Sequence, residues 1–153
     1  MLRRRFADDL KTAMKAKDSC RVATLRLILA TLKDRDIAAR GDGRDDGIGD
    51  DQLLDMLVKM VRQRRESVTI YQDAGRSELA AREAEEIAII EGYMPTPLDE
   101  AETEAAVRAV IDDLGATSIK DMGRTMAALK KHYAGRMDTA RASGLVKTIL
   151  TGG

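Results

Sequence analysis

The chain has 153 residues, of which 44% are hydrophobic and 34% charged, and its 26 basic and 26 acidic side chains cancel at neutral pH. Zero net charge excludes a uniformly basic polyanion-binding protein, and the scarcity of aromatic residues argues against an all-β fold, which draws on aromatic cross-strand pairs. One cysteine excludes an internal disulfide and a cysteine metal cluster, and no apolar run is long enough to span a membrane.

The first residues do not have the pattern of a secretory signal. Three arginines follow Leu2, and Asp8 and Asp9 stand where a signal peptide would have its apolar run. We therefore expect a cytoplasmic protein without membrane attachment. Cys20 stands beside helical apolar residues, and we expect it to be a small core residue.

The first forty residues predict two helices. Apolar residues at every fourth position from Leu2 to Met14 form one helical stripe. Asp18 or Ser19 can cap a second helix, which should end near Arg40. Its apolar positions are Val22, Leu25, Ile28, Leu29 and Leu32, widened by Ala23, Leu27 and Ala30. This breadth predicts that the second helix is the most buried element of its domain.

A glycine- and aspartate-rich segment, Gly41 to Gly49, predicts a flexible acidic loop after the second helix. Asp42, Asp45 and Asp46 offer oxygen ligands, but the calcium-loop spacing and its closing glutamate are missing. We expect no metal ion and no cofactor, and we assign the loop no role.

The third helix is predicted from Asp50 or Asp51 to about Asp73. Four of its cations fall within seven residues and form the basic ridge: Lys59, Arg62, Arg64 and Arg65. Arg64 lies on the apolar seam, where a charge needs an acidic partner or a route to solvent. Two interpretations of the ridge stay open, a solvated face with local ion pairs or a surface that contacts phosphates.

Both prolines lie in one short segment that predicts the domain boundary. A fourth helix capped by Ser77 should reach Glu91, and Gly92 can take the left-handed conformation that closes a helix. Pro95 and Pro97 each disfavour helix at the residue before them. The sequence thus predicts an all-α protein, with an up-and-down body of about four helices over residues 1–92. A hinge over 93–97 and a small three-helix tail domain over 98–153 complete it.

The tail is electropositive. Asp99, Ser118 or Asp121, and Asp138 are candidate caps for its three helices. Residues 114–153 carry seven basic and two acidic side chains. The tail cations are Lys120, Arg124, Lys130, Lys131, Arg136, Arg141 and Lys147. Gly123 and Gly135 remove side-chain bulk where backbone N–H groups could also approach phosphates. On charge alone, solvated surface and phosphate-binding surface are equally good interpretations.

Several segments, taken together in their order and spacing, resemble one protein family. They are residues 10–18, 24–27, 63–67, 74–76 and 89–95 in the body, and 120–124 and 135–138 in the tail. The family is the YqeY group (GatB/YqeY), which is related to the tail of the GatB component of the aspartyl/glutamyl-tRNA amidotransferase. The resemblance covers nearly the whole chain and implies an all-α fold of two parts.

The resemblance also implies a function. In the amidotransferase, the tail contacts tRNA while the amide-transfer chemistry lies in other domains, and related modules are attached to tRNA synthetases. The activity commonly attached to the group is carbon–nitrogen ligation with glutamine as amide donor. This chain has no glycine-rich phosphate loop and no nucleophile with a base beside it. His132, the only histidine, fits a surface or capping residue, and we expect no catalytic residue.

Three functional hypotheses follow. The first is a non-catalytic RNA-binding module that recognises tRNA by shape and backbone through the tail cations. The second is a protein-interaction adaptor that docks its basic ridge on an enzyme such as a tRNA synthetase. The third is an amidotransferase-associated factor, with ligase activity only inside a larger complex.

Overall fold

The computed structural model describes residues 1–152, and within them the chain forms seven α-helices, one short 3₁₀ helix and no strand. The helices are α1 (Leu2–Lys15), α2 (Ser19–Gly41), α3 (Asp50–Asp73), α4 (Ser77–Glu91), α5 (Glu100–Leu114), the 3₁₀ helix (Ile119–Asp121), α6 (Met122–His132) and α7 (Thr139–Leu150). The all-α prediction is therefore confirmed. The chain divides into two compact units, Met1–Met94 and a second unit that begins at Pro95. No helix in residues 1–152 combines the length and apolarity that crossing a membrane requires.

The first unit is built from two helical pairs, α1 with α2 and α3 with α4. Its core consists of large side chains that are fully buried: Phe6, Leu25, Ile28, Leu53, Met56, Leu57 and Ile90. The carboxylate of Asp18 caps α2 by accepting a hydrogen bond from the backbone N–H of Arg21. This cap confirms one of the two candidates for the start of the second helix.

The second helix is less buried than its composition predicts. Leu25, Ile28 and Leu32 are buried, but the residues expected to widen that face, Ala23, Leu27 and Ala30, are exposed. The prediction is wrong because the neighbouring helices contact only one side of α2, and its opposite side stays in solvent although it is apolar. Cys20 is half-buried and packs against the core of the first unit, so it lies at the edge of the core in which it was expected.

The end of α4 is not closed as predicted. Gly92 has φ −60° and is right-handed, so the expected left-handed conformation is wrong. The N–H groups of Tyr93 and Met94 instead donate to the carbonyls three residues before them, at 3.0 and 3.1 Å. The first unit ends one residue before Pro95, which cannot donate a hydrogen bond to continue the turn. A side chain at Gly92 would meet the carbonyl of Ile89 at 3.3 Å.

An ionic contact fastens the end of the glycine-rich loop to α1 and α2. Arg3 donates to both carboxylate oxygens of Asp36, and it also donates to the carbonyl of Ile48 at 2.7 Å. Asp36 in turn accepts from the N–H of Ile48 at 2.9 Å. The hydrogen bonds from Arg3 are the main reason why the pKa of Asp36 falls to about 2.

Tyr93 closes the first unit against α1. Its ring meets that of Phe6 edge-on at a centroid distance of 4.8 Å, with the guanidinium of Arg5 over its face. Its hydroxyl donates to a carboxylate oxygen of Asp9 at 2.5 Å. Burial, followed by this bond, raises the pKa of Tyr93 to about 12. The tyrosine therefore remains a neutral donor throughout the physiological pH range.

Candidate nucleic-acid interface

The second unit is a three-helix core formed by α5, α6 and α7. Val107 on α5, Leu129 on α6 and Val146 on α7 are almost fully buried. Asp99 forms a capping box with Glu102 at the start of α5, and Asp138 caps α7 by accepting from the N–H of Ala140 at 2.9 Å. Both predicted caps are confirmed, and they set where the two helices begin.

The residue before α6 is Asp121, one of the two predicted cap candidates, but its side chain accepts no N–H of α6. Its carboxylate accepts from the N–H groups of Thr117 and Ser118 at 2.9 and 3.3 Å, and these bonds lower its pKa. Its carbonyl accepts from the hydroxyl of Thr125 at 2.8 Å, and Thr125 is fully buried. These contacts turn Thr125 and Leu129 towards the core, which determines the face that α6 presents to solvent.

The solvent face of α6 carries cations. Arg124 and Lys131 are seven residues apart and therefore lie on nearly the same side, about 200° around the helix from the buried Leu129. Lys130 flanks this face, and Lys120 precedes it on the 3₁₀ helix. All four side chains are exposed, as is Lys147 on α7. The helical phase thus keeps these charges out of the core.

The three arginines among the tail cations have partners within their own unit. Arg124 pairs with Asp121 at 3.1 Å, and Arg141 pairs with Glu100. Arg136 donates to the carbonyl of Thr96 at 3.0 Å, while its own carbonyl accepts from the N–H of Leu98 at 2.7 Å. Arg136 therefore ties the start of the second unit to the turn between α6 and α7.

The tail lysines differ from the arginines. Within residues 1–152, none of the four lysines forms an ion pair: Lys120, Lys130, Lys131 and Lys147. We call these four residues the lysine surface. Lysine ammonium groups that no carboxylate holds are available to phosphate oxygens.

The two glycines of the tail occupy different settings. Gly123 is exposed at the first turn of α6, and a side chain there would meet open space. Gly135 is buried and has φ +73°, a conformation that favours glycine. Gly135 therefore makes the turn before α7 possible. His132, at the end of α6, is exposed.

The basic ridge of α3 is engaged by carboxylates. Lys59 pairs with Asp55 at 3.3 Å, and Arg65 pairs with Glu91 at 3.3 Å. Arg64 is 8% exposed and donates from Nε to Glu86 at 3.2 Å, so the acidic partner that its position on the seam required is present. Arg62, the fourth cation of the ridge, is half-buried.

Sequence patterns did not identify the partners on α4. Glu86 and Glu91 follow their arginines by 22 and 26 residues, beyond the reach of local pairing rules. Glu83 lies near this pair, and burial, followed by the charge of Glu86, raises its pKa. Burial, together with the charge of Glu85, also raises the pKa of the Cys20 thiol, which keeps it in its poorly nucleophilic neutral form. Glu86 and Glu91 of α4 are thus the side chains that connect this helix to the cations of α3.

Curated proteins from several organisms are similar to the chain, and three of them are described below. Each is named "Altered inheritance of mitochondria protein 41, mitochondrial". The protein from Eremothecium gossypii is 41% identical over 102 residues, which cover 66% of this chain and 53% of that protein. The proteins from Kluyveromyces lactis and Lachancea thermotolerans are 36% and 37% identical over 69% of this chain and 56% of each relative. The chain thus spans about half the length of the curated relatives it matches.

These names contradict the expectation of a cytoplasmic protein. The relatives are named as mitochondrial proteins. The expectation relied on the absence of a secretory pattern in the first few residues. The absence of that pattern does not identify a compartment, because the packing and charge of a folded domain do not determine where it is targeted.

The family is identified by a match over almost the whole chain. The sequence profile of the family described as "Yqey-like protein" matches residues 3–150, which include all seven α-helices except Leu2, the first residue of α1. The match therefore extends over both compact units, and the fold described above is that of the complete matched region. The chain belongs to the Yqey-like protein family.

Proposed function

We propose that the chain is a non-catalytic RNA-binding module that holds folded tRNA through the lysine surface. The observation that carries the proposal is the contrast among the tail cations. The arginines are engaged within the second unit, whereas Lys120, Lys130, Lys131 and Lys147 are exposed without an ion pair in the described chain. The resemblance to the tail of the GatB component of the amidotransferase supports tRNA as the ligand.

The chemistry of the surface favours recognition of backbone and shape. An ammonium group is a point charge that contacts phosphate, and it carries little base-sequence information. Folded RNA is recognised largely through such contacts, because its deep major groove is closed to side chains. The scarcity of aromatic residues disfavours a reader of single strands, which needs stacking platforms. A module of this kind would suit an accessory protein of a tRNA synthetase or a tRNA-dependent amidotransferase.

A salt titration of tRNA binding tests the proposal. The test variant replaces Lys120, Lys130, Lys131 and Lys147 with alanine, and leaves Arg136 in place because it holds the turn before α7. Removing four phosphate contacts lowers the slope of log K against log salt by about 3 to 4 between roughly 50 and 200 mM salt. Affinity should also fall for all tRNA sequences to a similar degree, since phosphates are common to them.

A matched variant controls for net charge. It replaces four exposed cations of the first unit with alanine, namely Lys11, Lys15, Arg76 and Arg82, none of which forms an ion pair within residues 1–152. Both variants lose four positive charges, so a general charge effect would change both slopes equally. Equal slopes and affinities for the wild type and the tail variant would reject the lysine surface as the RNA-binding site.

A further inference from the structure

The outward side of α2 carries apolar side chains that no other element of the first unit covers. Ala23, Ala30 and Ile37 are seven residues apart and therefore form a nearly straight line along the helix. Leu27 lies beside this line. Leu27 is 46% exposed and Ile37 is 55% exposed, and they are among the largest exposed apolar side chains of the protein. We call Ala23, Leu27, Ala30 and Ile37 together the apolar line.

A row of cations runs parallel to the apolar line. Arg26, Lys33 and Arg40 each follow one member of the line by three residues, which places them about 60° around the helix from it. All three are exposed, and within residues 1–152 none forms an ion pair. We call them the cation row.

The cation row lies between the apolar line and α1. Leu29 and Asp36 follow Arg26 and Lys33 by three residues, so they lie on the far side of the cation row from the apolar line. Asp36 is bonded to Arg3 of α1. The charge of Arg40 contributes to the low pKa of Asp36, but the hydrogen bonds of that carboxylate come from Arg3 and Ile48. Asp36 is thus already engaged. Asp34 is exposed on the outward side of α2, 11 residues after Ala23, so the three cations share this face with one carboxylate and its net charge stays positive.

Two shallow surface depressions lie next to the cation row. One lies beside Arg26 and is lined by Met14 of α1 and by Val22 and Ala23 of α2. The other lies beside Lys33 and Arg40 and is lined by Leu29, Leu32 and Ile37, with the paired Arg3 and Asp36 at its border. Each combines an apolar floor with a cationic edge, which suits a ligand that has apolar side chains next to carboxylates.

We propose that this face of α2 docks an amphipathic helix of a partner protein, one with acidic residues at seven-residue intervals beside its apolar stripe. The cation row and the apolar line both repeat every seven residues, about 10 Å along the axis. A second helix that lies alongside has the same repeat, so its carboxylates can meet all three cations together. The small side chains of Ala23 and Ala30 let its backbone approach closely.

Other occupants fit less well. A second copy of α2 in antiparallel two-fold pairing would place its cation row against the same row of the first copy, and six positive charges would repel. RNA would satisfy the cations, but its phosphate backbone has no apolar groups to cover Leu27 and Ile37. The acidic helix is the occupant that complements both features.

Two synthetic peptides of about three heptads test the proposal by fluorescence anisotropy. Both are amphipathic helices with the same apolar stripe, and glutamates beside the stripe of the first are glutamines in the second. The acidic peptide should bind the full chain, and the glutamine peptide should bind at least about tenfold more weakly. Charge reversal at Arg26, Lys33 and Arg40, each to Glu, should weaken the acidic peptide by about tenfold or more.

Two further variants separate docking from simple charge attraction. Leu27→Ser with Ile37→Ser keeps the charge and should also weaken the acidic peptide several-fold, because it removes the apolar contact. Charge reversal at Lys130, Lys131 and Lys147, each to Glu, changes net charge by the same amount on the second unit and should leave peptide binding unchanged. Circular dichroism confirms the fold of each variant, since all the substituted positions are exposed.

Several outcomes would overturn the proposal. The proposal is wrong if the acidic peptide shows no saturable binding at concentrations below about 1 mM. It is also wrong if the two peptides bind with equal affinity. Binding that is insensitive to Leu27→Ser with Ile37→Ser would show charge attraction alone. Loss of tRNA binding on reversal of the cation row would identify RNA as the occupant, and a dimer in sedimentation that this reversal stabilises would identify a second copy. The lysine surface is tested separately, because its variants differ from those of α2.

Discussion

Arg3 and Asp36 are joined by two hydrogen bonds, from Nη1 to Oδ2 at 2.5 Å and from Nη2 to Oδ1 at 2.9 Å. They are 33 residues apart, and their pairing fixes α1 against the C-terminal half of α2. Because both groups also bond to the backbone of Ile48, the same contact anchors the loop that leads into α3. Three consecutive helices of the first unit thus depend on one carboxylate.

We expect Asp36→Asn to destabilise the protein in a pH-dependent manner. The folded-state pKa of Asp36 is about 2, below the ordinary value of 3.8. The contribution of ionised Asp36 to folding stability is therefore present above about pH 4 and is lost as the pH falls through about 2. Urea unfolding of the wild type and the variant should therefore differ by about 1 to 3 kcal/mol at pH 7 and converge towards pH 2. Asp45→Asn, in the exposed part of the loop, is the matched control. A pH-independent difference would contradict this role.

We expect Gly47→Ala to cost more stability than Gly43→Ala. Both glycines have positive φ, +82° and +88°, so alanine is strained at either site by about 1 kcal/mol. A Cβ at Gly47 would also lie 2.3 Å from Oδ1 of Asp36, whereas a Cβ at Gly43 would meet open space. Gly47→Ala should therefore displace Asp36 and lower the free energy of unfolding at least about twice as much as Gly43→Ala does. Thermal or urea unfolding measures both losses. Equal losses would show that the loop can move without disturbing Asp36.

We expect Arg64→Leu to destabilise the protein by about 3 kcal/mol at neutral pH. The substitution leaves Glu86 half-buried beside Glu83 without its cation, and it should raise the pKa of Glu83 further. Arg65→Leu on the same helix is the control, because its pair with Glu91 is exposed and should cost less than about 1 kcal/mol. Urea unfolding measures both free energies. A similar loss for the two variants would indicate that burial of the Arg64–Glu86 pair adds nothing.

Local sequence rules were enough to predict the helices and several of their ends. Ser77 is an exception, because it is the first residue of α4 and not its cap, and no side chain caps this helix. Asp18, Asp99 and Asp138 were predicted as caps, and each carboxylate accepts a backbone N–H at its helix start. These predictions succeed because a cap and its donors are at most three residues apart. The family resemblance follows from the same kind of information, since short segments in a given order carry it.

The state of each charge depends on packing between helices. The sequence places Arg64 on an apolar seam but does not identify its partner, which is Glu86 on α4, and it does not show that Lys130 is exposed without an ion pair in the described residues. Likewise, α2 is apolar on both sides, and its pattern alone does not say which side the neighbouring helices cover. Coulombic and apolar contacts act through space over a few ångströms, so the partner of a side chain is decided by which helices meet and not by its neighbours along the chain.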